Sequence, residues 1–271
     1  MTDTPFSTNG HHSLPPALEA HDLSAGYPGD KHAINHLTFS IAQGERVALI
    51  GPNGAGKSTL FKAIAGLIPF THGTISVCAE DCRSSHAFIG YVPQQNEIDW
   101  SFPVTVFDVV MMGRARDSRW LPWWGAANRD FVHNLLEQLN LTTLANRQIS
   151  QLSGGQRRRV FIARALAQDT RVLLMDEPFT GVDTAAEQEI MNTLDVLTEQ
   201  GITILLATHD MERAARDFDR VLLLKRELLA LGEARDVMRP DVLRQAYGGA
   251  LTVFQEGNEM LLIADEHGVG D

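Results

Sequence analysis

The chain has 271 residues, 44% hydrophobic and 21% charged, which excludes intrinsic disorder for its bulk and supplies enough length for a substantial core. Its 23 Lys and Arg against 34 Asp and Glu leave a net charge of −11, the wrong balance for a nucleic-acid partner or an anionic lipid surface. Two cysteines exclude a disulfide scaffold and fit a reducing compartment.

Along the chain, residues 1–16 read as a flexible tail rich in Pro, Ser and Thr, without the basic start and apolar run of a signal peptide. Residues 18–50 read as short strands, with turns at Tyr27-Pro28-Gly29-Asp30 and Gln43-Gly44-Glu45. Residues 46–50 form a buried strand that runs into a glycine-rich loop, and 57–65 form a helix stopped by Gly66. From Thr105 to about Gln168 the pattern is mostly helical, with Val106, Val109 and Val110 and then Phe131, Leu135, Leu136 and Leu139 near helical spacing. Residues 172–175, 202–207 and 221–224 are further strands. Residues 185–200 form a helix with Ile190, Leu194 and Leu197 on one face and Gly201 past its end. A short C-terminal tail, residues 251–271, holds strand-like runs at 251–254 and 260–264. Alternating strands and helices predict a parallel sheet with polar loops at the strands' C-terminal ends. No apolar run reaches the roughly 20 residues that cross a bilayer.

Gly51-Pro52-Asn53-Gly54-Ala55-Gly56-Lys57-Ser58 fills every position of a phosphate-binding loop, between a strand and a helix as that role requires. Its glycines let backbone N–H groups turn inward, and the helix start adds positive dipole character. Lys57 is then placed for the β- and γ-phosphates of a nucleotide, and the Ser58 hydroxyl for Mg²⁺. Asp176 and Glu177 close the strand at 172–175. An aspartate there suits Mg²⁺, a hard cation that prefers oxygen, and Glu177 is placed to orient or deprotonate the attacking water. Without the phosphate loop the same pair would be ordinary surface chemistry.

Leu152-Ser153-Gly154-Gly155-Gln156 has two compatible readings. Ser153 and Gln156 fit a capping box, and a helix start is also an anion site. Capping leaves unexplained the paired glycines and the three cations Arg157, Arg158 and Arg159 in the first turn, which an anion against that end would relieve.

With these motifs the sequence resembles the ATP-binding subunits of ABC transporters over about residues 17–250. The resemblance implies an α/β fold: a P-loop NTPase core with a mainly parallel sheet, an N-terminal antiparallel β subdomain and an α-helical subdomain inserted at about 95–168. It implies ATP and Mg²⁺ as cofactors. The nucleotide is held by Gly51, Asn53, Gly54, Gly56, Lys57, Ser58 and Thr59, with Tyr27 stacked on the adenine, and Mg²⁺ by Ser58, Gln94 and Asp176. Catalysis falls to Glu177, to Gln94 in Tyr91-Val92-Pro93-Gln94, and to His209 as the switch histidine. Ser153, Gly154, Gly155 and Gln156 would meet the γ-phosphate held by a second copy of the chain, so that a homodimer sandwiches two ATP molecules. Asp183 matches a loop that communicates across that dimer and is equally readable as a helix N-cap. Tyr27 in a turn and a lone His209 after a strand rest on the resemblance alone.

The segments 96–113 and Glu177-Pro178-Phe179-Thr180-Gly181-Val182-Asp183 resemble the manganese, zinc and iron importer branch. This implies a peripheral subunit on the cytoplasmic face of the inner (plasma) membrane, an integral membrane permease and an extracytoplasmic metal-binding protein. All four tryptophans, Trp100, Trp120, Trp123 and Trp124, fall in the helical insert, and with Phe102 they are read either as a permease-docking surface or as local packing. Cys78 and Cys82, with His72 and His86 nearby and His11-His12 in the tail, lack the spacing of common zinc sites. Two other readings, a soluble ABC ATPase of ribosome or DNA function and a nucleotide switch without turnover, fit less well. The chain has no second nucleotide motif, no heptads and no basic surface, while Glu177 and His209 are both present.

Overall fold

The computed structural model describes residues 15–81, 88–94, 100, 102–114, 125–248, 251–256 and 259–264. The tail at 1–14 and Trp120, Trp123, Trp124, Cys82 and His86 lie outside the described residues.

The N-terminal third builds an antiparallel sheet. Strands β1 (Leu18–Tyr27) and β2 (Asp30–Ile41) form a hairpin about the Pro28-Gly29 turn, and β4 (Phe70–Val77) and β5 (Glu80–Asp81) complete the order β2-β1-β4-β5. The second sheet has the order β10-β9-β3-β8-β7-β6, from β3 (Arg46–Ile50), β6 (Ile89–Val92), β7 (Val172–Asp176), β8 (Thr203–Ala207), β9 (Arg220–Lys225) and β10 (Glu227–Gly232). All its pairings are parallel except that of β9 with β10.

Alternation along these strands divides the interior in two. Val47, Leu49, Leu174, Leu205 and Leu222 face α1 (Lys57–Ile64) and the antiparallel sheet. Ala48, Ile50, Leu173, Ile204 and Leu223 face the remaining helices. Strands buried on both faces read as continuous apolar runs for this reason. Helix α1 is wedged between the two sheets through Leu60, Phe61 and Ile64, each of which stabilises the fold by about 1.5–3 kcal/mol on burial.

The helical stretch comprises α2 (Val106–Met112), α3 (Ala126–Gln138) and α4 (Gly154–Leu166), with two 3-10 turns between α3 and α4. A Thr105–Asp108 capping box starts α2. Helix α3 departs from the predicted face, because Val132, Leu135 and Leu136 are buried whereas Phe131 is 38% exposed beneath the Arg114 guanidinium. Helices α5 (Thr184–Glu199) and α6 (Met211–Asp217) follow β7 and β8. After β10 come the short α7 (Ala234–Val237) and α8 (Pro240–Tyr247), then a hairpin of β11 (Leu251–Glu256) and β12 (Glu259–Ala264).

Strands β3, β8, β7 and β6 are parallel neighbours, so their C-terminal ends share one edge of the sheet. Four segments far apart in sequence meet there: the loop at Gly51, Thr208-His209, Asp176-Glu177 and Pro93-Gln94.

Candidate functional site

The loop after β3 is held from behind by backbone. A Cβ on Gly51 would lie 2.2 Å from the Leu224 carbonyl oxygen. Gly56 has φ +98°, and a Cβ there would lie 2.5 Å from Ile34 Cγ2 and 2.7 Å from the Ala33 oxygen. Both positions therefore demand glycine, on space at each and on backbone angle at Gly56. Arg226 links the β1–β2 hairpin to the loop: its N–H donates to Ala55 O at 2.8 Å and its carbonyl accepts from Asn35 N at 2.7 Å. Tyr27, at the tip of that hairpin and half exposed, is thereby carried on the element that packs against Gly56.

Helix α1 begins with no side-chain cap, so its first N–H groups are left to a ligand. Lys57 is 8% exposed and lies across the loop, its Nζ donating to Gly51 O at 2.7 Å and Pro52 O at 3.2 Å. Burial lowers its pKa, against the raising effect of the Glu177 and Asp176 carboxylates. Asn53 and Gly54 sit exposed at the loop tip, Ser58 is half-buried, and Thr59 is turned into the protein.

Glu177 gathers the second group. One carboxylate oxygen, Oε2, accepts from Gln94 Nε2 at 3.3 Å and from Thr180 Oγ1 at 3.2 Å, and His209 Nδ1 stands 4.0 Å away. His209 is otherwise exposed, at 71% of its side chain. Asp176, one residue earlier, is 3% exposed. Glu177 adopts φ +46°, a left-handed conformation that costs a residue of this kind about 1–2 kcal/mol and is sustained by its surroundings. Its N–H donates to Ala207 O at 3.1 Å.

The start of α4 is a complete capping box: Ser153 N donates to Gln156 Oε1 at 3.1 Å and Gln156 N to Ser153 Oγ at 3.3 Å. The paired glycines and the arginines beside it do not need an anion to explain them. Gly155 is buried because α4 crosses α5 there, and a Cβ on it would lie 2.4 Å from Ala186 Cβ. The three arginines turn away from the helix end. Arg157 donates to the carbonyls of Ile149 and Ser150 and stacks on Trp100, Arg159 pairs with Glu189 at 2.7 Å, and Arg158 points inward. Their charges are met within the chain, so none of them calls for an anion. Asp183 is the N-cap of α5, accepting from Ala186 N at 2.9 Å.

Trp100 packs edge-to-face on Phe161 with centroids 5.3 Å apart, which gives its ring a local partner, while Phe102 is exposed. Sequence reasoning missed Thr180 and Arg158. A hydroxyl three residues after the glutamate, in a turn, was the available signal for Thr180.

The family profile described as ABC transporter matches residues 34–180 of this chain. The chain belongs to the ABC transporter family. It is 41% identical over 249 residues to a manganese transport system ATP-binding protein of Halalkalibacterium halodurans, covering 92% of this chain and 98% of that one. It is also 41% identical to a zinc transport system ATP-binding protein of Treponema pallidum, covering 90% and 92%. Among solved structures, a metal-chelate type ABC transporter in an inward-facing conformation matches with a TM-score of 0.76 at 29% identity, covering 91% of this chain and 96% of that chain. A dimeric, post-hydrolysis ATP-binding cassette bound to ADP and Pi matches with a TM-score of 0.68 at 28% identity, covering 80% and 99%. The α/β fold is that of ABC ATPase domains, and the chain is an ABC ATP-binding subunit, an ATPase. Among the described residues no helix is long and apolar enough to cross a membrane.

Proposed function

We propose that the chain drives uptake of a divalent metal ion, manganese or zinc before iron, as the ATP-hydrolysing subunit of an importer. It works as a homodimer on the cytoplasmic face of the inner (plasma) membrane. Its partners are a separate integral membrane permease and, through that complex, an extracytoplasmic metal-binding protein. The cargo reading is supported by the named relatives, which are ATP-binding proteins of manganese and zinc transport systems. The working unit is residues 17–250, with residues 95–168 as its helical part.

The observation that carries the catalytic reading is the meeting of Gln94, Thr180 and His209 on one oxygen of Glu177, at the sheet edge that also carries Lys57. In the mechanism, the N–H groups of residues 54–59 and the Lys57 ammonium hold the β- and γ-phosphates. Glu177 takes a proton from the water that attacks the γ-phosphorus, the bond to the bridging oxygen breaks, and ADP and inorganic phosphate leave. Gln94 and His209 hold water and γ-phosphate in line, and Ser153 to Gln156 of the partner subunit close over that phosphate. Asp176, Ser58 and Gln94 bring a buried carboxylate, a hydroxyl and an amide oxygen, an all-oxygen set that suits Mg²⁺. Bound there, Mg²⁺ would neutralise charge on the β- and γ-oxygens.

Beside the Gln94 loop runs a groove lined by Leu67, Tyr91, Pro93, Arg164 and Gln168, and Leu67 is largely exposed on its rim. Its position supports docking of a cytoplasmic helix of the permease there, a better place than Trp100, whose ring is engaged by Phe161.

Glu177→Gln is the test of the mechanism. The variant should bind ATP and accumulate as a dimer while turnover falls by about 10²- to 10⁴-fold. Unchanged turnover contradicts the assignment. For the cargo, cells lacking the chain should lose uptake of radioactive manganese or zinc, and unchanged uptake of both contradicts metal import.

A further inference from the structure

Arg158 lies on the first turns of α4 and is 2% exposed, the most buried of the three consecutive arginines. Its Nη1 donates to Pro93 O at 2.8 Å and its Nη2 to Glu177 O at 3.2 Å. Pro93 is the residue before Gln94, and Glu177 is the residue whose backbone is held in the left-handed region. One side chain from the helix that begins at Ser153 thus ties together the two peptides that carry Gln94 and the carboxylate it contacts.

A purely space-filling role does not account for this arrangement. Burial disfavours the guanidinium and lowers its pKa to about 10, against the pull of Asp176 and Glu177 that keeps it charged. Its Nε finds no hydrogen-bond partner among the described residues. A neutral side chain of similar length would fill the same space without that desolvation. What the charge adds is two directed, charge-assisted hydrogen bonds in a fixed fork.

We propose that Arg158 is a positioning residue for ATP hydrolysis: it locks the peptide of Glu177 to the peptide preceding Gln94, so that movement of the Gln94 loop against α4 is transmitted to the catalytic carboxylate. The inference rests on the reading of Glu177 as the catalytic base. It assigns α4 a task within its own subunit, separate from the contact its first residues make with the partner's nucleotide. When the Gln94 loop is displaced, the Glu177 carbonyl is pulled with it or loses its donor, and the carboxylate of the same residue leaves its in-line position. A misplacement of about 1 Å is enough to cost roughly 100-fold in rate.

The full-length chain is assayed for ATP hydrolysis as wild type and as Arg158→Met, Arg158→Lys, Arg158→Gln and Glu177→Gln. The expected result is a fall in kcat of about tenfold or more for Arg158→Met, with KM for MgATP within about twofold, because binding groups are untouched. Arg158→Lys, which keeps a charged donor, should recover part of the loss. Hydrogen–deuterium exchange should show faster exchange confined to the segments around Gln94 and Glu177 in the Met variant. If that variant does not fold, Arg158→Gln replaces it and should fold as wild type does with a kcat below that of Arg158→Lys, and a wild-type kcat in Arg158→Gln overturns the inference in its turn. The inference is overturned if kcat survives in Arg158→Met, if KM rises in step with the loss of kcat, or if Lys is no better than Met. Failure of the underlying reading looks different: Glu177→Gln would then retain turnover, whatever Arg158 does.

Discussion

The chain presents two helix N-termini built from glycine-containing loops, and they are finished in opposite ways. Helix α1 follows Gly56 with no side-chain cap, and the Lys57 ammonium lies across its loop. Helix α4 follows Ser153 with a closed capping box, and its arginines are each engaged elsewhere. The first combines uncapped backbone donors with an ammonium, the chemistry that suits an anion. The second has already satisfied two of its four orphan donors from within and is a weaker site by itself. The contrast supports the composite site proposed above, in which a strong cradle would fix the nucleotide and a weaker helix end would add binding energy only when a second subunit presents a phosphate to it.

The comparison breaks most visibly at the strong end. Lys57→Met should abolish detectable turnover, a loss of about 10³-fold, and weaken ATP binding, because it removes the ammonium that lies across the loop. Retained binding and turnover, measured by filter binding and phosphate release, would mean that the loop's N–H groups suffice. At the weaker end the expected effect is on packing. Gly155→Ala gains about 1 kcal/mol of helix propensity but places a methyl 2.4 Å from Ala186 Cβ, an overlap costing about 1–3 kcal/mol. Thermal unfolding should therefore show net destabilisation that Ala186→Gly reverses, with ATP binding at the cradle unchanged. A stabilised Gly155→Ala would show that α4 does not press on α5 as described.

The smallest effect lies on the antiparallel sheet, away from both helix starts. Asp22 faces His36 Nδ1 at 2.5 Å and His72 Nε2 at 2.9 Å, and the hydrogen bond from His36 does most to hold its carboxyl below the ordinary 3.8. A depressed carboxylate pKa lends stability that is present above the unfolded value and is lost as pH falls through the lower folded one. Asn tolerates the φ of +51° at this position, so Asp22→Asn keeps the backbone while it removes the charge and exchanges one of the two acceptor oxygens for a donor amide. Its melting temperature should fall by about 2 °C or less near neutrality, the pair being exposed, and the gap should close as pH drops below the carboxylate range. A gap that persists in acid would assign the effect to geometry and not to charge.

Much of this was legible in the sequence because it is local. The strand at 46–50, the glycine loop and the helix after it are set by apolar runs, turn residues and a full phosphate-loop pattern, and the helix at 185–200 by its spacing of Ile190, Leu194 and Leu197. What stayed hidden depends on residues far apart. The partners of Arg157, Arg158 and Arg159 come from segments as far apart as Pro93, Ser150, Glu177 and Glu189, so cations that look misplaced in a first turn are satisfied by contacts no spacing records. Gly155 suggests a phosphate contact in the sequence, while its burial against Ala186 is a helix-crossing requirement. Phe131 fits helical spacing and still faces outward, because α3 presents Val132, Leu135 and Leu136 to the core instead. The junction at Glu177 was readable only as separate motifs. Their convergence follows from the order β3-β8-β7-β6, which is a property of the sheet.

The most direct measurement is a disulfide crosslink between the two helix starts. Cysteines at Asn53 and Ser153, in a chain with Cys78 and Cys82 replaced by Ser and with Glu177→Gln to slow turnover, report whether the loop of one subunit meets the signature end of the other. Oxidation should give a covalent dimer that appears with ATP and not in its absence, and that neither single cysteine produces. A chain that stays monomeric with ATP, or whose crosslinking ignores the nucleotide, contradicts the composite site.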